Sequence, residues 1–70
     1  MAENVYKVIE LVGTSDDSWE AAASAAVNRA AGSLRGLRVA EVSELDLALN
    51  DDGTVRAYRA KVRVSFKYEE

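Results

Sequence analysis

The sequence predicts an α+β domain of element order β-α-β-β. A β-rich opening run comes first, and an alanine-rich stretch of helical periodicity follows. Two alternating runs joined by an Asp-Gly turn signal then close the chain. Seventy residues without proline, internal repeat or low-complexity linker are expected to make one domain, residues 1–70.

The opening run, Val5 to Val12, reads VYKVIELV. One parity holds Val5, Lys7, Ile9 and Leu11; the other holds Tyr6, Val8, Glu10 and Val12. Both faces are largely apolar, the pattern of a strand covered on both sides. In so small a chain the second cover is expected from another subunit. Gly13-Thr14-Ser15 reads as the end of the strand and Ser15 as the helix N-cap. Asp16, Asp17 and Glu20 then put negative charge in the first turn, where the helix dipole favours it. Trp19, Ala22, Ala23, Ala26, Val27, Ala30 and Leu34 form a helical stripe. Small alanines let such a helix lie close to a sheet, and Gly32 or Gly36 is expected to end it.

Leu37 to Asn50 reads as a long strand, with Leu45, Leu47 and Leu49 on one face and Glu44, Asp46 and Asn50 on the other. The alternation loosens around Glu41, Val42 and Ser43, which predicts a bulge. Asp52-Gly53 fits a type I′ hairpin turn. Thr54 to Tyr68 is the clearest strand. Tyr58, Ala60, Val62, Val64, Phe66 and Tyr68 share one face; Arg59, Lys61, Arg63, Ser65 and Lys67 share the other. With the turn at Asp52-Gly53, Asp46 falls opposite Arg59, Glu44 opposite Lys61, Leu47 opposite Tyr58 and Leu45 opposite Ala60. Acid meets base and apolar meets apolar, which supports that register. The helix is therefore expected over the Leu45–Tyr58 face. The charged face, apolar on part of the first strand, reads as an interface or a cavity lining.

Composition narrows the function. No cysteine and no histidine are present, which excludes disulfides, thiolate metal sites and the usual general base. A domain this short usually needs a staple, and self-association is the one left. The sequence holds no Ser-centred nucleophile motif, P-loop or dinucleotide fingerprint, so it is read as no enzyme. The net charge of −3 disfavours general nucleic-acid binding. No apolar stretch approaches the ~20 residues of a membrane span, and no signal peptide is read at Met1 to Lys7, so a cytoplasmic location is expected.

Five cations, Arg56, Arg59, Lys61, Arg63 and Lys67, form a basic stripe. Phosphate tracking is one reading and cross-strand charge pairing is the simpler one, because Tyr58 and Phe66 point to the other face. Trp19, on the apolar stripe, reads as a packing residue, with ligand stacking as its alternative. Asp16-Asp17 and Asp51-Asp52 read as helix start and turn and lack the spacing of an EF-hand. Glu44 and Asp46 are the candidate metal ligands. Symmetry in an oligomer brings several copies of them together, and hard cations such as Ca²⁺ or Mg²⁺ take oxygen ligands.

VYKVIELVGTS, the alanine-rich helix, the hairpin and the closing VRVSFKYEE together resemble the dodecin family over nearly the whole chain. That resemblance implies a three-stranded antiparallel sheet wrapped round one helix. It implies a homododecamer, a hollow sphere of cubic symmetry. It also implies binding or storage of flavin (FMN or riboflavin), with coenzyme A in some members. Dodecins hold paired flavin rings between tryptophans of the second strand, and a third-strand glutamine bonds the ring edge. Here the tryptophan position, ahead of Glu41-Val42, is Val39, and the glutamine position, after Tyr58, is Arg59. Neither flavin residue carries over. The combination of R-V-A, S-W-E and S-F-K is similar to a flavin-poor branch to which calcium binding is ascribed. Two expectations follow: a shell that stores or buffers a small ligand, or a flavin-free, cation-binding or purely structural assembly.

Overall fold

The computed structural model describes residues 3–67. Strand β1 spans Tyr6–Ser15, helix α1 Trp19–Ser33, strand β2 Leu37–Leu49 and strand β3 Val55–Lys67. The expected β-α-β-β order is observed. Tyr68, assigned to the last strand from its alternation, lies outside the described residues.

The sheet is antiparallel, in the order β1-β3-β2. Its central strand is therefore the last in sequence, and β1 and β2 are its edges. Helix α1 carries the chain across the sheet from one edge to the other. Ala22 and Ala26 pack on Ala60, Val62 and Val64, with Ile9, Leu11, Ala23, Val27 and Leu37 around them. The alanine stripe thus does what its small side chains allow, bringing the helix axis close to the central strand.

Three expectations need correction. First, β1 does not stop at Gly13; it continues to Ser15, which pairs with Tyr58. Gly13 sits directly beneath α1, where a Cβ would meet the Ala22 carbonyl. The glycine serves close approach rather than a break. The N-cap is consequently Ser18, not Ser15. Ser18 is extended (φ −169°, ψ 166°) and its hydroxyl accepts from the Ala21 N–H at 3.0 Å. Ser15 instead accepts from the Asp17 N–H at 2.9 Å, and Glu20 is the acidic residue of the first turn. The helix ends at Ser33, ahead of Gly36 at φ +72°.

Second, the hairpin is not type I′. That turn needs positive φ at both central residues, and Gly53 (φ +87°) is the only turn residue with one. The Gly53 N–H donates to the Asn50 carbonyl at 2.9 Å, and Asn50 and Thr54 close the ladder at 2.8 Å. This is a three-residue loop, a type I turn over Asp51-Asp52 followed by left-handed Gly53. The predicted register survives, with Glu44 opposite Lys61, Leu45 opposite Ala60, Asp46 opposite Arg59 and Leu47 opposite Tyr58. The bulge is also where the pattern loosened, between Val42 and Glu44. It switches parity, so Val42 and Leu45 share a face although three residues apart.

Third, α1 lies on the predicted face but over β1 and β3. Leu45 on β2 remains 52% exposed and Leu49 53%. The helix is one element about 10 Å wide, while three strands at about 4.8 Å spacing present about 14 Å, so one edge is left bare.

Candidate functional site

The face away from α1 is built on the odd residues of β3. Each central residue meets one neighbour from each edge. Arg59 lies between Thr14 and Asp46, Lys61 between Val12 and Glu44, Arg63 between Glu10 and Glu41, and Ser65 between Val8 and Val39. Three of these contacts are ion pairs: Arg59–Asp46 at 2.7 Å, Lys61–Glu44 at 3.4 Å and Arg63–Glu10 at 3.2 Å. Three of the five cations of the basic stripe, Arg59, Lys61 and Arg63, are thus paired crosswise, as the simpler reading expected.

Asp46 is held most firmly. Its two oxygens accept from Arg59 Nε at 2.7 Å and Nη2 at 3.0 Å. That hydrogen bonding holds the Asp46 carboxyl below the usual carboxylate range, aided by the charges of Arg59 and Lys61. Asp46 in return raises the Arg59 guanidinium. The pair is exposed, so its contribution to folding is small. Its effect is orientation, since a two-point fork fixes both groups.

The two candidate metal ligands, Glu44 and Asp46, lie on this face as expected, one rung apart. Among the described residues no three carboxylates gather as a metal-holding group within one chain. Glu10 was not picked out by sequence as a partner of Arg63. The signal was present, since Glu10 is the single charge among Tyr6, Val8 and Val12, but it speaks only once β1 is known to pair with β3.

Val39 is 62% exposed at the other end of the face, and its carbonyl accepts from the Ser65 hydroxyl at 3.3 Å. It offers no aromatic surface for a flavin ring. Arg59 is engaged by Asp46 and, unlike a glutamine amide, has no acceptor atom. A flavin sandwich does not fit these two residues.

Trp19 has a packing role. Its indole N–H donates to the Asp46 carbonyl at 3.0 Å, and its ring meets Tyr58 edge-on, 5.2 Å between centroids. Beside it a cleft of about 310 Å³ is lined by Trp19, Glu20, Ala23, Val42 and Leu45.

Comparison with known proteins places this geometry. The dodecin family model matches residues 5–69. The chain belongs to the dodecin family. It is 52% identical over 64 residues to the calcium dodecin of Mycobacterium tuberculosis, covering 91% of this chain and 89% of that protein. It is 44% identical over 66 residues to the dodecin of Thermus thermophilus, covering 94% of each. The structure of dodecin from Streptomyces coelicolor superposes with a TM-score of 0.90 at 36% identity, over 100% of this chain and 99% of that one. The crystal structure of the M. tuberculosis protein, described as calcium chelating with a novel calcium-binding site, gives 0.82 at 51% identity, over 93% and 91%. Dodecins are multimeric, non-enzymatic binding proteins, and no enzyme activity attaches to these relatives' names. No helix among the described residues is long and apolar enough to cross a membrane.

Proposed function

We propose that this chain is a non-enzymatic subunit of a hollow homododecamer that holds a hard divalent cation, Ca²⁺ foremost, and does not store flavin. The carrying observation is the pair of positions where the family places its flavin residues. Val39 presents no ring there, and Arg59 is forked onto Asp46. Two further facts support the reading. The radius of gyration is 14.6 Å, against about 11 Å for a compact domain of this length. A chain so extended, with ten large apolar side chains exposed among the described residues, gains its missing burial from copies of itself. The calcium dodecin is also 52% identical to this chain.

Glu44 and Asp46 supply oxygen ligands, the right donor class for Ca²⁺. One chain offers too few, so ligands from symmetry-related copies complete the shell of six to eight oxygens that Ca²⁺ takes. The test is thermal melting of chelator-treated protein with and without millimolar Ca²⁺. A ligand that binds only the folded assembly raises the melting temperature by mass action. The rise is expected in the wild type and absent after Glu44→Gln with Asp46→Asn. No rise in the wild type, or an equal rise in the variant, refutes the assignment. Riboflavin fluorescence, unquenched at nanomolar protein, checks the flavin half.

A purely structural assembly is the second reading, favoured by one observation. Lys61 and Arg59 already neutralise these carboxylates.

A further inference from the structure

Asp52-Gly53 is the one place in the sequence where a glycine follows an aspartate or an asparagine. That dipeptide carries a reaction of its own. The Gly53 amide nitrogen bonds to the side-chain carbonyl carbon of Asp52, and the amide proton and the carboxyl hydroxyl leave as water. The product is a cyclic imide, which a second water opens at either carbonyl. Addition at the side-chain carbonyl restores aspartate. Addition at the main-chain carbonyl gives isoaspartate, in which the main chain runs through the former side chain and the mass is unchanged. Glycine favours the first step because no Cβ shields its nitrogen.

In the folded hairpin both reacting groups are held elsewhere. Asp52 Oδ1 accepts from the Thr54 hydroxyl at 2.6 Å and from the Thr54 N–H at 3.0 Å, so the carboxylate reaches past Gly53 to the residue beyond. The same bonds hold it ionised, and a carboxylate has no hydroxyl to lose. The Gly53 N–H donates to the Asn50 carbonyl at 2.9 Å, a bond that attack must break. The Thr54 hydroxyl is itself aimed, since it accepts from Asn50 Nδ2 at 3.0 Å while it donates to Asp52. Residues 50–54 are exposed, so water for the ring opening is at hand.

We propose that Asp52-Gly53 is a modification site, an aspartate that isomerises to isoaspartate through the cyclic imide, and that the Thr54 hydroxyl is the guard that slows it in the folded chain. Isomerisation adds a methylene to the main chain inside the short loop that sets the β2–β3 register. It also withdraws the acceptor that Thr54 binds. The inference stands on the hairpin alone and owes nothing to the cation reading.

The test ages four chains side by side at neutral pH and fixed temperature: wild type folded, wild type unfolded in urea, Thr54→Val and Asn50→Ala. Isoaspartate is read by an isoaspartyl carboxyl methyltransferase that transfers a labelled methyl group from S-adenosylmethionine to the new α-carboxylate. Asp52→Glu, which would need a larger ring, assigns the label to this site. Unfolded wild type is expected to label fast and folded wild type slowly. Thr54→Val, folded by circular dichroism, is expected to label about tenfold faster than folded wild type, the factor that one hydrogen bond to a charged group is worth. Thr54→Ser, which keeps the hydroxyl, restores the slow rate. Asn50→Ala loosens the loop without freeing Asp52 and stays near wild type. Label that persists in Asp52→Glu, or unfolded wild type that gains none, overturns the site. Folded Thr54→Val no faster than wild type, Thr54→Ser as fast as Thr54→Val, or Asn50→Ala as fast as Thr54→Val overturns the guard.

Discussion

Gly13→Ala tests the closest approach in the fold. Built on the backbone, its Cβ falls onto the Ala22 carbonyl oxygen, 3.0 Å from the carbonyl carbon and 3.1 Å from the Ala26 Cβ. Ordinary contact there is about 3.4 Å or more. The obstruction is backbone, so rotamer change cannot relieve it. The helix must lift from β1, and Ala22 and Ala26 then part from Ala60, Val62 and Val64. Overpacking of a filled core costs about 1–3 kcal/mol, and a rigid obstacle puts this case near 3. A chain of this size holds about 4–10 kcal/mol in all, so the loss is a large share. At about 4–8 °C per kcal/mol, the melting temperature falls by some 12–24 °C. Circular dichroism melts at fixed protein concentration read the effect. Gly32→Ala is the control: it lies in α1 with nothing within 4 Å of its added Cβ, and it is expected to be neutral or to gain up to about 1 kcal/mol. A Gly13→Ala melt within 3 °C of wild type would falsify the close-packing argument.

Two further outcomes concern the hairpin. Gly53→Ala, forced into left-handed backbone at φ +87°, is expected to cost about 1–2 kcal/mol, seen as a lower urea midpoint with an unchanged m-value. Asp52 accepts from the Thr54 hydroxyl at 2.6 Å and from the Thr54 N–H at 3.0 Å, bonds that hold its carboxyl below the usual range. Asp46 is depressed likewise by Arg59. Carboxyls depressed by folding stabilise above their unfolded value and lose that stabilisation as pH falls through the folded one. The melting temperature should therefore hold from neutrality to about pH 4 and fall below it. Asp52→Asn with Asp46→Asn should flatten that fall, and a slope identical to wild type counts against the assignment.

Much of the fold was legible because its signals are local. Alternation gave β2 and β3, and charge and apolar matching across an Asp-Gly turn gave their register. The parity break at Ser43 gave the bulge. Errors arose where a residue had two physical uses. Gly13 reads as a breaker by propensity, yet here its missing side chain admits a helix. Ser15 and Ser18 are both competent caps, and the choice fell to whichever was free of the sheet. Asp52-Gly53 serves two turn types that differ only in backbone signs. The charge ladder was half legible. The β2–β3 pairs follow from the hairpin, whereas Glu10–Arg63 spans β1 and β3, 53 residues apart, and no local rule sets that register. The family positions Val39 and Arg59 were visible as substitutions, and the register already set Asp46 opposite Arg59; what the side-chain geometry adds is the two-point fork between them.

The acidic edge strand bears on how copies meet. Along the outer face, β2 presents Glu41, Glu44 and Asp46 while the cations sit centrally on β3. Sheet edges invite pairing with other edges, and charge is one device that prevents it. Were β2 to pair with a second β2 about an antiparallel two-fold, acidic rows would lie side by side, about 5 Å apart. Like charges directly opposite are destabilising, so association is diverted from the edge to the faces. Glu41→Gln with Glu44→Gln and Asp46→Asn removes that guard and leaves the exposed apolar residues untouched. The edge is then free to pair with the same edge of another copy, and in an assembly that repeats this edge on every subunit such pairs join one assembly to the next. The variant is expected to show broad, concentration-dependent growth by light scattering in place of one mass. The same single mass in variant and wild type across the concentration range would show that the carboxylates do not guard the edge.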